Sequence, residues 1–288
     1  MRPIPVQFHI GPLQVHTYGI GLALTFWFGF VYFERRLRKN GYPTDWLVGV
    51  FLWIVVAAVV GARALHVLSN LTYYSHNPGE ILVIWHGGLS SFGGLLFAVP
   101  TGIYLTRRRC PELPLGRALD LAVPVLLACW AIGRLLGPQL MVAGGGHPTH
   151  QWFGMYYAGQ TGKRLPVPIF QALEDFCVYL VLIFTERRLD RWPDGSRRVG
   201  YPPGIVLGIA MVLWGIERSL DEHLWLGEDG RVGSDLVQLA GIALVVGGAV
   251  VLWRTRTRWK QWLTTHHPRD ADGPAGGTEE AAAANQPA

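Results

Sequence analysis

Residues 131–137 read Ala131-Ile132-Gly133-Arg134-Leu135-Leu136-Gly137, and they lie inside a hydrophobic run from Leu119 to Val142. A run of about 20 apolar residues can cross a bilayer as a helix. Because an arginine stays charged at that depth and is costly there, it indicates a functional site with a partner. The alternative is a helix-end arginine that extends to the membrane surface. We favour the first interpretation, because eight residues follow Arg134 before the run ends.

The composition of the whole chain is that of a membrane protein. Of its 288 residues, 50% are hydrophobic and 16% are charged, and the mean hydropathy is +0.24. Such values are typical of multi-span membrane proteins. Seven runs have spanning length or nearly so: 17–33, 46–69, 89–106, 118–142, 167–185, 201–219 and 236–253. The sequence therefore predicts an all-α membrane domain over residues 1–264 with seven transmembrane helices, followed by a disordered tail over residues 265–288.

The lysines and arginines predict the orientation of these helices. Of the 25 basic residues, 18 fall in segments on one side of the predicted membrane and only four on the other. Because cytoplasmic loops carry the excess of lysine and arginine, we expect the N-terminus outside and the C-terminus in the cytoplasm. The net charge of +5 is then explained by topology, and no nucleic-acid partner is predicted.

The other three basic residues, Arg63, Arg134 and Arg218, lie late in even-numbered spans, which run towards the outer side. The odd-numbered spans carry their polar residues early: His16, Tyr18, Ser90, Ser91, Gln171, Glu174, Asp175, Asp235 and Gln238. Both sets then fall in the outer half of the membrane. The simplest arrangement is one charged layer that opens towards the outer leaflet.

Two glycine-rich segments precede spans on the outer side. The first reads Trp85-His86-Gly87-Gly88-Leu89-Ser90-Ser91-Phe92-Gly93-Gly94. Its glycines permit exposed amides that face an anion, although Gly93 and Gly94 suit close helix packing equally well. The second, 143–166, contains His147 and His150 at a metal-like spacing. A solvated loop is favoured there over a metal site, and neither a metal nor a cofactor is predicted.

Four segments of the chain resemble prolipoprotein diacylglyceryl transferases. The first is Phe8-His9-Ile10-Gly11-Pro12-Leu13-Gln14-Val15-His16-Thr17-Tyr18-Gly19-Ile20, which is similar to the family pattern F-x-I-G-P-x-x-[VL]-[RH]-[WY]-Y-G-[IL]. Gly61-Ala62-Arg63 resembles G-x-R, and Gly133-Arg134 resembles the start of G-R-x-G-N. Trp214-Gly215-Ile216-Glu217-Arg218, followed by Glu222, resembles Y-G-x-x-R-x-x-x-E. The four occur in the family's order over roughly residues 6–255.

The resemblance implies a reaction and a set of site residues. The family transfers a diacylglyceryl group from phosphatidylglycerol to the lipobox cysteine of an exported prolipoprotein, and glycerol-1-phosphate leaves. Arg134 and Arg218 would then bind the lipid phosphate and stabilise the charge that develops on it. Tyr18 would hydrogen-bond the headgroup, and Glu222 would orient an arginine. His16, Arg63, Gly93 and Gly94 complete the expected lipid site, which would face the outer leaflet of a bacterial plasma membrane.

The chain departs from the family pattern at several positions. Phe92 stands where the family has a histidine before its paired glycines, and Leu136-Gly137 replaces Gly-Asn. Trp214 replaces the tyrosine, and the stretch Leu165-Pro166-Val167-Pro168-Ile169-Phe170-Gln171 replaces H-P-x-Q-x-Y-E.

Three histidines are candidates for the base that a thiol acceptor needs: His16, His66 and His86. We name His86 as the catalytic candidate, because it lies six residues before Phe92. For each of them, an interfacial histidine without a special role is the favoured alternative.

Three alternatives to diacylglyceryl transfer to a cysteine stay open. A paralogue would keep the lipid site but use another acceptor, such as a sugar or polyol hydroxyl. A non-catalytic lipid-binding membrane protein would keep only the arginines. A transporter is the third, although no inverted repeat supports it.

Overall fold

The computed structural model describes residues 7–10, 13–83, 88–137, 145–157, 160–192, 195–198, 200–221 and 231–266. As the sequence predicted, the described chain is predominantly helical. Its α-helices are α1 (Thr17–Lys39), α2 (Leu47–Ser69), α3 (Leu71–His76), α4 (Ser91–Arg109), α5 (Leu115–Leu136), α6 (Val167–Leu189), α7 (Ile205–Asp221) and α8 (Arg231–Thr265). A 3₁₀ turn, Pro78–Leu82, follows α3. The tail predicted to be disordered begins at residue 265, which still belongs to α8, and its residues from 267 onward lie outside the described residues.

Each of the seven hydrophobic runs overlaps one long helix, and α3 is the short exception. The run predicted to extend to Val142 gives a helix that ends at Leu136, so Arg134 lies two residues from the helix end rather than eight residues inside the span. In the described part of the chain, four segments are long and apolar enough to cross a membrane: α2, α5, α6 and Gln238–Thr265 within α8. At about 1.5 Å per residue, the 22 residues of α5 extend over about 33 Å, close to the thickness of a bilayer core. The helical membrane character of the chain is therefore confirmed.

A short β-hairpin precedes α1 and was not predicted from the sequence. Strands β1 (Gln7–Ile10) and β2 (Leu13–His16) pair antiparallel, with Gln7 opposite His16. Each strand has four residues, far short of the roughly 9–11 that a membrane-crossing strand needs. The hairpin is an addition to an otherwise helical fold among the described residues.

Helix α5 packs antiparallel against α1. Its last turns meet the first turns of α1, where Leu136 lies against Gly21. Its first turns meet the last turns of α1, where Arg36 donates from Nε to the carbonyl oxygen of Leu121 at 2.8 Å. We call this second end of the bundle the basic end, because the last turns of α1, α4 and α6 there all contain arginine or lysine.

The basic end is held by an apolar cluster and by a buried ion pair. The cluster joins α1, α2, α5 and the connection between α4 and α5, and it consists of Leu37, Leu47, Cys110, Leu113, Ala118 and Leu121. Beside it, the guanidinium of Arg36 donates from Nη2 to Oε1 of Glu186 at 2.8 Å, and both side chains are largely buried. These contacts fix the end of the bundle opposite to Arg134.

Asp120 fixes the start of α7. Its side chain is fully buried in α5 and accepts hydrogen bonds from the backbone N–H groups of Gly204 at 2.7 Å and Leu207 at 2.9 Å. The first N–H groups of a helix lack partners within the helix, so a carboxylate there satisfies them and opposes the helix dipole favourably. Asp120 therefore anchors α7 to α5.

The contact between α2 and α4 depends on glycine, which gives a first prediction. A Cβ on Gly93 would clash with the carbonyl group of Gly61, whereas a Cβ on Gly94 would meet Ala58 and Ala62 at ordinary contact distances of 3.4 and 3.7 Å. We expect Gly93→Ala to lower the free energy of unfolding by about 1–3 kcal/mol, because the backbones must separate. Thermal unfolding in detergent measures it, and Gly94→Ala is the matched control. Equal stability of the two variants would contradict the packing role.

Candidate functional site

Charged side chains from three helices meet at the end of the bundle opposite the basic end. Arg134 lies in the last turn of α5, and Arg218 lies in the last turn of α7. The first three turns of α6 place Gln171, Glu174 and Asp175 beside them. Since α6 runs antiparallel to both α5 and α7, its beginning meets their ends. The structure thus brings together two of the three predicted arginines.

Each of these arginines lies near a carboxylate. Nε of Arg134 is 4.0 Å from Oδ2 of Asp175, and Nη1 of Arg218 is 3.5 Å from Oδ2 of Asp221. Nε2 of Gln171 donates to the same Asp221 oxygen at 2.7 Å. The two guanidinium groups also interact electrostatically with each other, so they share one site.

The site is buried and holds more carboxyl groups than guanidinium groups. Arg134 and Glu217 are 7% exposed, Asp221 is 1% exposed and Asp175 is fully buried. With Glu174, four carboxyl groups face two guanidinium groups. Because charges in a low-dielectric interior interact strongly, these groups constrain one another's protonation and position.

Two tryptophans form an apolar wall beside the charges. The rings of Trp130 in α5 and Trp214 in α7 meet edge to face, with 5.2 Å between their centroids. The guanidinium of Arg134 lies 6.0 Å from the centroid of Trp130, within the range of a cation–π contact. Trp214 occupies the position of the family's tyrosine, so this ring replaces a phenol by an indole at the site.

Glu217 and Asp221 were not identified from the sequence as site residues. A signal was available, because Glu217 and Asp221 are four residues apart and lie on the same face of α7. That face meets the polar start of α6, whose residues were identified. This pair of carboxyl groups was overlooked because Glu217 follows a long run of apolar residues.

One described acidic group has oxygens close enough together to suit a metal ion. Ligand oxygens of Glu174, Glu217 and Asp221 all lie within 4.8 Å of one another. The guanidinium of Arg218 already supplies a positive charge beside Asp221. The donor set would fit a hard cation with oxygen ligands, but the neighbouring arginines oppose one.

Arg63, the third predicted arginine, belongs to a separate set of contacts. Its guanidinium donates to the backbone carbonyl oxygens of Glu80 at 2.6 Å, Gly88 at 2.8 Å and Ile81 at 2.9 Å. It also lies 5.3 Å from the ring centroid of Tyr74. Arg63 thus ties the connection between α3 and α4 to α2. Its role as a lipid ligand stays a prediction.

The remaining predicted residues divide into two groups. Gly93 and Gly94 lie in the first turns of α4, where they pack against α2 as described above. His86 and Glu222, and the side chains of His16 and Tyr18, lie outside the part of the chain that the structure describes. Their roles stay predictions.

The second glycine-rich segment is compact rather than an open loop. Backbone bridges join Arg164 to Pro148 and to Met155, and the side chain of Arg164 is buried. Tyr157 is 3% exposed, and this burial raises the pKa of its hydroxyl group to about 12.

His147 and His150 are both exposed. The preference for a solvated loop over a metal site stays a prediction.

A buried charged site among apolar, membrane-length helices defines a helical membrane protein. The chain belongs to the prolipoprotein diacylglyceryl transferase family, whose model matches residues 5–254. It is 31% identical to the phosphatidylglycerol–prolipoprotein diacylglyceryl transferase of Tolumonas auensis over 255 residues, which cover 86% of this chain and 94% of that one. The protein of the same name from Finegoldia magna is 27% identical over 85% of this chain and 93% of its own.

A higher identity extends over a shorter stretch. The Bacillus velezensis protein, again named phosphatidylglycerol–prolipoprotein diacylglyceryl transferase, is 38% identical over 130 residues. This match spans 45% of this chain and 47% of that protein, about half its length. The predicted family is therefore confirmed by comparisons that cover most of the chain.

Proposed function

We propose that the protein transfers the diacylglyceryl group of phosphatidylglycerol to the lipobox cysteine of prolipoproteins. The observation that carries this proposal is the meeting of Arg134 and Arg218, from separate helices, in one buried site. Guanidinium groups bind phosphate through paired hydrogen bonds, which an ammonium group cannot match. The relatives with this printed name support the same substrates.

The proposal includes seven spans, with the N-terminus outside and the basic end in the cytoplasm. Arginines and lysines close α1, α4 and α6 at that end, as the positive-inside rule requires of cytoplasmic segments. Arg134 and Arg218 then lie at outer-leaflet depth. A lipid headgroup in the outer leaflet of the bacterial plasma membrane reaches them without crossing the bilayer.

The phosphate of the lipid would bind between the two guanidinium groups. As the glyceryl carbon–oxygen bond breaks, negative charge grows on the phosphate oxygen, and fixed positive charges stabilise it. Burial strengthens this interaction, since water does not screen it. The tryptophan pair Trp130 and Trp214 would exclude water beside the reacting atoms. Tyr18 and Glu222 would contact the headgroup and orient an arginine, as the resemblance implies.

A second candidate function keeps the lipid and changes the acceptor. The departures of the chain from the family pattern motivate it, since Phe92 stands where the family has a histidine. A sugar or polyol hydroxyl would then replace the cysteine thiol. A non-catalytic lipid-binding protein is the third candidate, and it predicts binding of phosphatidylglycerol with no turnover.

One reconstitution distinguishes the three. The purified protein is incubated with phosphatidylglycerol labelled in its headgroup glycerol, with and without a lipobox peptide. Peptide-dependent release of labelled glycerol phosphate, with a thioether on the peptide, supports the proposal. A peptide whose cysteine is replaced by serine is the control. Release that needs a sugar or polyol instead favours the second candidate, and lipid binding without release favours the third.

A further inference from the structure

A turn in the second glycine-rich segment presents two aromatic side chains at its tip. The backbone N–H of Gly154 donates to the carbonyl oxygen of Gln151 at 3.1 Å, so Trp152 and Phe153 are the central residues of a β-turn. We call residues 151–154 the aromatic turn. Turn centres usually hold glycine, proline, asparagine, aspartate or serine. Here Trp152 is 87% exposed and Phe153 is 37% exposed, which indicates an interaction surface.

The exposure of these rings does not come from a loosely folded segment. The backbones of Met155 and Arg164 exchange two hydrogen bonds, at 3.0 and 2.9 Å, and the N–H of Thr149 donates to the carbonyl oxygen of Lys163 at 2.9 Å. The side chains of Met155 and Tyr157 are buried. The segment therefore buries apolar side chains that follow the aromatic turn, while it leaves those of the turn itself outside.

The rings of the aromatic turn continue onto the exposed face of α6. Trp152 and Phe153 meet edge to face with 5.7 Å between their ring centroids, and Phe153 meets Phe170 in the first turn of α6 at 6.1 Å. Phe170 borders the exposed face of α6, which carries Ile169, Leu173, Phe176, Leu180 and Phe184. Because α6 is long and apolar enough to span a membrane, we expect this face to contact lipid.

The position of Phe170 along α6 is that of a membrane surface. Phe170 precedes Arg187, in the last turn of α6 at the basic end, by 17 positions. This interval is about 26 Å of helix, close to the roughly 30 Å of a bilayer core. With Arg187 at one membrane surface, Phe170 and the aromatic turn lie at the other. Tryptophan and tyrosine are enriched at this level of membrane proteins.

The charge of the segment suits a membrane surface. Residues 143–166 contain no aspartate or glutamate. Lys163 lies beside the aromatic turn, since a Cβ on Gly154 would be 3.2 Å from the Cβ of Lys163. A lysine in this position attracts the phosphates of lipid headgroups, and no carboxylate in the segment repels them.

We propose that the aromatic turn inserts among the lipid headgroups at the end of the bundle opposite the basic end, and so attaches the second glycine-rich segment to the membrane. Lipid is favoured over the apolar stretch of an acceptor peptide, because the rings adjoin the face of α6 that we expect to contact lipid. The inference depends on α6 crossing the membrane and goes beyond the proposed transfer reaction.

The test places a reporter beside the aromatic turn. Tyr156, which is 46% exposed, is replaced by a genetically encoded fluorescent amino acid whose emission depends on its environment. The protein is reconstituted in vesicles of phosphatidylcholine and phosphatidylglycerol that contain a nitroxide-labelled lipid. We expect emission at shorter wavelength, and stronger quenching by the nitroxide, than for the same amino acid at Thr264, which is exposed at the basic end.

The double variant Trp152→Ser, Phe153→Ser tests whether the two rings hold the segment at the membrane. We expect the emission from position 156 to shift to longer wavelength and its quenching to be lost, because serine gains nothing from leaving water. Trp253→Ser is the matched control, since Trp253 is 71% exposed on α8 near the basic end. It should leave the signal from position 156 unchanged.

Three results would overturn the inference. A reporter at position 156 that emits as in water, with and without a lipobox peptide, would show that the turn does not enter the membrane. A reporter that becomes protected only when the peptide is added would assign the turn to the acceptor. Quenching that persists in the double serine variant would mean that other residues hold the segment at the membrane. Transfer activity is measured separately, so its absence would count against the proposed function alone.

Discussion

Replacing Arg134 with alanine is expected to lower diacylglyceryl transfer by about 10²–10³-fold, the loss typical when one fixed group that stabilises a developing charge is removed. Arg134 lies in the last turn of α5, beside both Asp175 and Arg218. Its removal would leave a bound phosphate with one guanidinium group instead of two. The measurement is the release of labelled glycerol phosphate in the presence of the lipobox peptide.

Arg134→Lys separates charge from geometry. Lysine keeps the positive charge but loses the planar pair of donors, so we expect it to restore only a small part of the activity. Arg38→Ala is the control, because Arg38 is exposed at the basic end and pairs only locally with Glu34. Full activity of Arg134→Ala would show that this residue does not bind the reacting phosphate.

Replacing Arg36 with alanine is expected to lower the free energy of unfolding by about 3–5 kcal/mol, because it leaves the largely buried carboxylate of Glu186 without its cation. The ion pair lies away from the candidate functional site and joins α1 to α6, with 2.8 Å between Nη2 of Arg36 and Oε1 of Glu186. Arg36 also donates to Leu121, so a backbone carbonyl oxygen loses its partner too. Denaturant unfolding in detergent measures the change.

The double variant Arg36→Met, Glu186→Leu tests the physical reason. Apolar residues of similar size need no charged partner, so the double variant should lose less stability than Arg36→Ala alone. Arg38→Ala again serves as the exposed control, for which about 0–1 kcal/mol is expected. A double variant that is less stable than the single one would mean that the ion pair stabilises the fold beyond avoiding an unpaired charge.

The sequence predicted the helices well because membrane spans leave a strong signal. Each hydrophobic run became a long helix, and Arg134 was found because a charge stands out in an apolar run. The β-hairpin before α1 was not predicted, since four-residue strands are too short to leave a periodic pattern. The packing of Gly93 on Gly61 also requires coordinates, because glycine pairs serve packing and ligand binding alike.

The site was predicted in part, and the reason lies in how its residues meet. Arg134, Arg218 and Asp175 each stood out alone, but their grouping depends on the packing of three helices. Arg63 was assigned to the same layer because depth in the membrane was the only coordinate that the sequence supplied. The structure also shows where each residue lies within the plane of the membrane. There, Arg63 contacts the connection between α3 and α4.

The attachment of α7 to Asp120 sets the rotational phase of Arg218. Helices α5 and α7 run in the same direction and contact each other along their length. Asp120 meets Leu207 near their beginnings, Trp130 meets Trp214 further along, and the two arginines meet near their ends. Arg218 follows Leu207 by eleven positions, which is about three full turns of helix, so both face α5. Inserting one residue between them would rotate Arg218 by about 100° away from Arg134. This interval of α7 should therefore tolerate changes of residue far better than changes of length.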